Sequence, residues 1–440
     1  MVNHAPGAQM DLENKQQNIA AGMKRLEALS ASFDRQSLDA IANLQHSARV
    51  REQPWLLAGV SDGMGLHTTL AAIDAGVLQY GVGVYYEPEA LLKLDDDGTP
   101  VSPVHYARYQ NALALEEYAK QRGVEFEVLF ADIMMAPRRG LKGDVKEAAP
   151  AFPSKVKAAF ERVRAQAPRK AAVFIDSVAF GKWISPREGK EPIEVPTIDF
   201  EGRVISTRTK SYHPRGYQET LDTMGRNHAK LLQAMVSFDW LEPASLTAFF
   251  TWAGGSQNVD ALEGVYGRGA LGDAKIIAER DVTAFRLSHG LTYGAHAIVR
   301  LPAFLSAALM AIPGAGLFGM LSRKVLSEHG VYWDMPELST MMLDKLFGPA
   351  WVRENPISQI ELDTAEILHM DEISNAVEEA HARIADYRAT QSEEEKKKPI
   401  PVAKSRELLE GLVPADYTDI LERFQPDLSG SDSAKTATPA

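Results

Sequence analysis

The sequence contains no cysteine among its 440 residues. This absence excludes disulfide bonds, thiolate nucleophiles and cysteine-ligated metal sites. The chain also has no excess of basic residues. It contains 47 Lys and Arg and 59 Asp and Glu, which gives a formal net charge of -12. General nucleic-acid binding needs a basic footprint, so no nucleic-acid partner is expected.

Three further signals are absent from the chain. None of the 11 histidines forms an H-x-x-x-H or H-E-x-x-H pair, so no metal site is predicted. No G-x-S-x-G motif is present, which argues against a serine-hydrolase nucleophile elbow. The first 25 residues include no apolar signal region, so a cytoplasmic location is expected.

One long uncharged segment, residues 301–321, is long enough to resemble a membrane helix. Pro302, Pro313 and Gly314 would break such a helix, and the chain has no second span of this kind. The segment therefore predicts a buried, kinked part of the core rather than stable membrane insertion.

Short apolar runs alternate with amphipathic stretches from residue 54 onward, which predicts βαβ units and a parallel sheet. The expected fold class is α/β, a Rossmann-like doubly wound parallel sheet. We assign residues 1–50 to an N-terminal helical arm and 51–390 to one nucleotide-binding domain. Within that domain, Pro, Gly and charged residues at about 183–220 indicate an inserted lid or hairpin. Residues 391–440 are expected to be a polar tail with a short helix.

A glycine-rich loop follows the first predicted strand in the sequence "GVSDGMG". Its spacing, G-x-x-x-G-x-G, is that of short-chain dehydrogenases, and it precedes a predicted helix. Such glycines let the backbone approach a pyrophosphate, which the helix N-terminus also favours. The alternative is an ordinary strand-to-helix turn. The candidate cofactor-binding residues of this loop are Gly59, Ser61, Asp62, Gly63, Met64 and Gly65.

Polar residues at the ends of the next three strands favour the cofactor interpretation. Tyr86 and Glu87 end the second strand, where a carboxylate can accept both ribose hydroxyls and would repel a 2′-phosphate. Asp132 ends the third strand, close to where an adenine edge would lie. Ser177, Val178 and Ala179 follow the fourth strand and are candidates for contact with the nicotinamide ribose. These positions predict NADH rather than NADPH.

The catalytic candidates are Tyr266 and Lys275. None of the 13 tyrosines has a lysine four residues on, whereas this pair is nine residues apart. Tyr387 and Lys396 share the spacing but follow no strand. Nine residues at about 100° each would place the pair on opposite faces of one helix. We therefore expect Tyr266 in a loop and a helix that begins near Leu271.

These residues together resemble the trans-2-enoyl-CoA / enoyl-ACP reductase family of the FabV type, within the short-chain dehydrogenase superfamily. The resemblance rests on the glycine loop, "VYYEPE", Tyr-x8-Lys and "AIPGAGLFGMLSRKVLSEHG", and it spans roughly residues 50–390. It implies an enlarged Rossmann domain, usually monomeric although a dimer is possible. It also implies an NADH-dependent reduction of the 2,3 double bond of an acyl thioester carried by coenzyme A or a carrier protein.

The resemblance assigns roles to particular residues. It implies that Tyr266 stabilises and protonates the enolate, while Lys275, as an ammonium, holds the ribose hydroxyls. Leu305 and Ser306 would lie beside the nicotinamide, and residues 301–330 would line the acyl pocket. The sequence departs from the family where Trp252 replaces a usual second tyrosine, and where the helical arm replaces the opening strand.

These departures leave other functions open. One alternative is an NADH-dependent reductase of a ketone, an imine or another C=C bond in specialised metabolism. Another is a nucleotide-binding protein without turnover.

Overall fold

The computed structural model describes residues 12–86, 92–95, 100–135, 152–178, 184–251, 269–290, 292–304, 306–310, 312–348 and 359–422. The side chains of residues 12–14, 307 and 308 are not among those described.

A seven-stranded sheet forms the centre of the molecule, with the order β3-β2-β1-β4-β7-β8-β9. All neighbouring strands in this sheet pair in parallel. The order reverses between β1 and β4, so the carboxyl ends of these two strands flank a crevice in which such folds bind ligands. The strands are β1 (Pro54–Ala58), β2 (Tyr80–Tyr85), β3 (Glu125–Phe130), β4 (Val173–Asp176), β7 (Leu246–Thr251), β8 (Ala295–Arg300) and β9 (Gln359–Glu361).

Helices cover both faces of the sheet, as a parallel sheet requires because its crossovers lie on its faces. Every residue of β1, β4 and β7 is buried, which explains their nearly continuous apolar sequence. The helices are α1 (Leu12–Ala31), α2 (Arg35–Ala42), α3 (Ser47–Arg51), α4 (Gly63–Asp74), α5 (Pro103–Gln121), α6 (Ser154–Gln166), α7 (Pro214–Thr220), α8 (Asn227–Ser237), α9 (Ala270–His289), α10 (Ala307–Met310), α11 (Ala315–Glu328), α12 (Met335–Phe347), α13 (Thr364–Leu368), α14 (Met370–Ala389), α15 (Val402–Leu408) and α16 (Tyr417–Glu422). A π-helical turn, Leu221–Gly225, joins α7 to α8, and a 3-10 turn occupies Glu395–Lys397.

The predicted insertion contains an antiparallel hairpin, β5 (Glu194–Ile198) and β6 (Val204–Arg208). Ile198 and Val204 pack in a separate apolar cluster with residues of α11, α14 and the C-terminal helices. The end of the insertion is helical, because Pro214 opens α7 and the His213 ring accepts a hydrogen bond from the Gly216 N–H. The hairpin therefore shares a core with the segment predicted to line the acyl pocket.

The C-terminal region differs from the polar tail expected after residue 390. Helices α15 and α16 fold against the hairpin, with Leu409, Tyr417 and Leu421 buried. The Tyr417 hydroxyl donates a hydrogen bond to the Gly202 carbonyl in the hairpin turn. A few apolar residues among many charged ones are enough to fold residues 402–422 against the hairpin.

The uncharged segment at 301–321 is interrupted as predicted. Helix α10 has four residues, and α11 begins after Gly314, whose φ of 77° lies in the left-handed region. Across the described ranges, we find no helix that combines the length and the apolar character needed to span a membrane.

Helix α1 of the N-terminal arm lies along α5 in close contact. At Gly22 an added Cβ would lie 2.2 Å from the Gln110 carbonyl oxygen, so only glycine permits this approach. Polar side chains line the contact, and Asn18, Gln110 and Asn111 are all buried. The arm is thus part of the folded core rather than an appendage.

Candidate active site

The glycine loop lies where the sequence analysis places it, between β1 and α4 beside the strand-order reversal. Gly59 and Gly63 have φ values of 85° and 54°, which favour glycine. The Asp62 carboxylate caps α4 by accepting a hydrogen bond from the Gly63 N–H at 2.7 Å. The first intrahelical bond runs from the Leu66 N–H to the Asp62 carbonyl. The N–H groups of Met64 and Gly65 therefore precede the helical bonding pattern and can donate to a phosphate.

Gly65 is required by a close contact between α4 and the ends of β1 and β4. A Cβ at this position would lie 2.1 Å from both the Gly59 carbonyl oxygen and the Ser177 hydroxyl. Ser177 in turn donates its hydroxyl to the Ala58 carbonyl at 2.7 Å. Ser177 and the glycine loop thus form one compact unit across the crevice.

A chain of hydrogen bonds connects this loop to the N-terminal arm. The side-chain amide of Asn111 on α5 donates to the Ser61 carbonyl at 3.1 Å and accepts from Arg25 Nε at 2.9 Å. Arg25 also donates to the side-chain oxygen of Gln110, whose amide donates to Asn18, both at 2.7 Å. Buried polar groups need such partners, so the arm and the loop are mutually dependent.

Helix α5 makes a second connection to the loop through charge. Arg108 Nε lies 2.9 Å from the Asp62 carboxylate, on the oxygen that does not cap α4. Both carboxylate oxygens of Asp62 are therefore engaged. Sequence reasoning missed Arg25, Arg108 and Asn111, because no local spacing identifies partners so far apart in the chain.

The other predicted loop residues differ in their exposure. Met64 is buried, and its sulfur lies 3.7 Å from the Ser339 hydroxyl on α12, so this side chain packs in the core. The side chain of Ser61 is also buried. Tyr86, directly after β2, is 42% exposed at the same edge of the sheet.

Asn227 and His228, at the start of α8, form hydrogen bonds that hold the loop after β3 and the end of β4. The Asn227 side-chain oxygen accepts a hydrogen bond from the Met135 N–H at 2.6 Å. The His228 ring contacts the Asp176 carboxylate through Nδ1 at 2.9 Å, with both residues buried. The other Asp176 oxygen accepts from the Val178 N–H at 3.0 Å. These bonds fix the backbone next to Ser177 and Val178.

Asp132 lies in the loop after β3, which ends at Phe130, two residues before the strand end predicted from the sequence. Its carboxylate accepts a hydrogen bond from the Met134 N–H at 3.0 Å. The side chain therefore stabilises the turn of its own loop beside the Asn227 contact.

Lys275 lies on α9, which begins at Ala270, one residue before the predicted start. Burial lowers the pKa of Lys275 to about 7, against an opposing effect of Glu279 and Glu366. Protonated and neutral amine therefore coexist near neutral pH, and the ammonium is the form to which the resemblance assigns the contact with the ribose. This perturbed pKa supports a functional position.

Asp273, two residues before Lys275, anchors the first turn of α9. It accepts hydrogen bonds from Arg187 in the insertion and from the Tyr217 hydroxyl on α7. The Arg187 guanidinium and the Tyr217 hydroxyl help to hold the pKa of Asp273 below its usual value. The inserted region therefore helps to position the helix that carries Lys275.

The segment predicted to lie beside the nicotinamide is held by polar contacts. The buried Glu366 carboxylate accepts a hydrogen bond from the Ala303 N–H. The Ser306 side chain is also buried, and its hydroxyl accepts from the Leu309 N–H at 3.1 Å. Ser306 therefore caps the short helix α10.

Five predicted site residues lie outside the described residues, and their placement stays a prediction. They are Glu87, Ala179, Leu305 and the two aromatic candidates Trp252 and Tyr266.

The strand order and the glycine loop define the class of protein as a Rossmann-like α/β fold. The family model for the trans-2-enoyl-CoA reductase catalytic region matches residues 106–347, which is more than half of the chain. The chain therefore belongs to the trans-2-enoyl-CoA reductase family, a family of oxidoreductases that reduce enoyl thioesters.

Solved structures with the same fold include two trans-2-enoyl-CoA reductases. The enzyme from Clostridium acetobutulicum, in complex with NADH, is 15% identical with a TM-score of 0.65, over 100% of this chain and 96% of that one. The enzyme from Treponema denticola, in complex with NAD, is 15% identical with a TM-score of 0.61, over 96% and 93% of the two chains. No curated protein matches the sequence.

Proposed function

We propose that this chain uses NADH to reduce the 2,3 double bond of a trans-2-enoyl-CoA. The family supplies the reaction class, and its model describes coenzyme A thioesters. The two similar structures are complexes with NADH and NAD, which supports the choice of cofactor.

The glycine loop and the strand ends fit a dinucleotide. The N–H groups of Met64 and Gly65 would hold the pyrophosphate, and Glu87 would accept the adenosine ribose hydroxyls. Asp132 would contact the adenine edge, next to Tyr86. Ser177, Val178 and Ala179 would line the nicotinamide ribose, with Leu305 and Ser306 on the other side.

Bound NADH would supply a hydride to the β-carbon of the substrate. Negative charge then develops on the thioester oxygen, and the Tyr266 hydroxyl would stabilise it by a hydrogen bond and supply a proton. Lys275, in its protonated form, would donate to the ribose hydroxyls and lower the pKa of Tyr266. Trp252 would offer an N–H donor in place of a second hydroxyl.

The decisive experiment compares Tyr266→Phe with Tyr387→Phe, because both tyrosines have a lysine nine residues on. We expect Tyr266→Phe to lower kcat by about 10²–10⁴ while the Kd for NADH changes less than about threefold. Tyr387→Phe should behave as the unmodified protein. NADH oxidation with a short-chain trans-2-enoyl-CoA gives kcat, and fluorescence titration gives Kd. Unchanged turnover in Tyr266→Phe would overturn the assignment of Tyr266.

The substrate is tested separately on the unmodified protein. Turnover with the enoyl-CoA, and much slower turnover with the same acyl group on a carrier protein, would support the proposal. Faster turnover of the carrier-protein thioester, or reduction only of a ketone or imine, would overturn the choice of substrate. Binding of NADH without any turnover would show a nucleotide-binding protein instead.

A further inference from the structure

Two histidines and one glutamate converge where the C-terminal end of α11 meets the start of α14. His329 ends α11, His369 precedes α14, and Glu372 lies in the first turn of α14. The Glu372 carboxylate contacts His329 Nε2 at 2.8 Å and His369 Nδ1 at 3.2 Å, through its two different oxygens. Neither the fold nor the proposed reaction accounts for this arrangement.

The two imidazole rings lie against each other, which brings one nitrogen of each ring close to the Glu372 carboxylate. The imidazoles of His329 and His369 stack with centroids 3.9 Å apart and an interplanar angle of 21°. The three potential ligand atoms all lie within 4.8 Å of one another. Two imidazole nitrogens and one carboxylate group form a donor set that suits zinc and similar divalent ions.

From this geometry we propose that His329, His369 and Glu372 bind a divalent transition-metal ion of the Zn²⁺ type. Ligands on a tetrahedral zinc ion, at about 2.0–2.2 Å from it, are about 3.3 Å from each other. The two nitrogen–oxygen distances, 2.8 and 3.2 Å, need to open by at most about half an ångström to reach that value, and because they involve different oxygens, Glu372 would bind the ion through both. The side chains of His329 and Glu372 are exposed, so an ion can enter from solvent and a water can complete the coordination.

The ion would join two helices that border the predicted acyl pocket. Helix α11 carries Leu317, Phe318 and Leu321 into the apolar cluster around the hairpin, and α14 carries Ile373 and Val377 into the same cluster. A metal bound to the folded state alone raises its stability. Zn²⁺ would therefore stabilise this part of the molecule without contacting the cofactor site.

The competing explanation is that the carboxylate holds the two rings by hydrogen bonds alone. The test is a Zn²⁺ titration of the full chain, followed by calorimetry and by the thermal unfolding midpoint Tm with and without the ion. We compare the unmodified protein with His369→Gln and Glu372→Gln. The matched control is Asp371→Asn, which removes the same charge from the same helical turn but leaves the cluster intact.

We expect one Zn²⁺ per chain and a Zn²⁺-dependent rise in Tm in the unmodified protein and in Asp371→Asn. His369→Gln and Glu372→Gln should each bind Zn²⁺ at least about tenfold more weakly. Neither should show the Zn²⁺-dependent rise in Tm. Mg²⁺ should have no effect, because it prefers oxygen ligands. Bound Co²⁺ should show the visible absorption of a nitrogen-ligated ion. Equal Zn²⁺ binding by all four proteins, or no binding by the unmodified one, would overturn the proposal.

Discussion

Asn111 on α5 donates a hydrogen bond from its side chain to the main-chain carbonyl of Ser61, 50 residues earlier in the sequence. The same side chain accepts a hydrogen bond from Arg25 of the N-terminal arm. A residue in neither segment thus joins the arm to the glycine loop. Arm and loop should therefore respond together to mutation.

Removal of Arg25 should weaken NADH binding although Arg25 lies on a different element from the loop. Arg25→Ala leaves the buried side chains of Asn111 and Gln110 without their charged donor, and such bonds contribute about 1.5–3 kcal/mol. Part of this loss should appear as a Kd for NADH about 3- to 10-fold higher. Arg35→Ala, an exposed arginine on α2, is the control and should leave Kd unchanged. If Arg25→Ala and Arg35→Ala had the same Kd for NADH, the N-terminal arm would not be coupled to the glycine loop.

The state of Lys275 should give a pH dependence to NADH binding. The ammonium form of Lys275 is the one proposed to donate hydrogen bonds to the ribose hydroxyls. The pKa of Lys275 without cofactor is about 7. The Kd for NADH should therefore rise as the pH increases through about 7. Lys275→Arg keeps a charge at all these pH values and should remove that dependence. A pH-dependent Kd of the same shape in Lys275→Arg would assign the titration to another group.

The same pKa has a consequence for stability without cofactor. Burial lowers it from 10.5, so between about 7 and 10.5 the unfolded chain binds a proton that the folded chain does not. Stability therefore gains a contribution as the pH rises through this window. Lys275→Met should lose that contribution, which urea unfolding at several pH values can measure. If the free energy of unfolding of Lys275→Met depended on pH in the same way as that of the unmodified protein, Lys275 would not be the source of this contribution.

The buried pair of Asp176 and His228 should show strong coupling. His228→Phe leaves the buried Asp176 side chain without its ring partner and should reduce the free energy of unfolding by about 1–3 kcal/mol, the cost of an unsatisfied buried polar group. Adding Asp176→Asn to His228→Phe should restore part of that loss, because a neutral amide costs less to bury without that partner than a carboxylic acid side chain does. Denaturant unfolding of the four proteins gives the coupling energy. Additive single effects would show that the two side chains act independently.

Glu87 should set the preference for NADH over NADPH. Glu87→Ser removes the charge expected to repel the 2′-phosphate, so the ratio of kcat/KM for NADPH to that for NADH should rise about tenfold or more. Glu125→Ser removes an exposed carboxylate at the start of β3, at the other end of the strands from the glycine loop, and serves as the control. Equal use of both cofactors by the unmodified protein would contradict this interpretation of the end of β2.

The sequence was sufficient to predict the first five strands of the sheet along the chain and the glycine loop. Four of those strands, β1, β2, β4 and β7, are almost wholly buried, and β3 alternates buried with exposed side chains. By contrast, β9 has three residues of which only Ile360 is buried, and β8 contains His296 and ends in Arg300. Such short or polar strands become identifiable only through their neighbours in the sheet. The start of α9 at Ala270 was predictable because it followed from the geometry of the Tyr266–Lys275 spacing.

The polar contacts were not predictable, because polar residues in helices normally indicate exposure to solvent. Asn18 and Arg25 contact side chains that are more than 80 residues away. His329 and His369 are 40 positions apart, so spacing motifs for metal ligands do not include them. In both cases the relevant distance is set by helix packing, which the local sequence does not contain.

The packing around Gly65 affects how relatives of this protein should be interpreted. A side chain at this position would collide with Gly59 and Ser177 whether or not a nucleotide is bound. A descendant that no longer bound a dinucleotide would still need this glycine to bring α4 against β1 and β4. Retention of Gly65 in a relative therefore reports an intact fold, while retention of Glu87 and Lys275 would report that the chemistry survives.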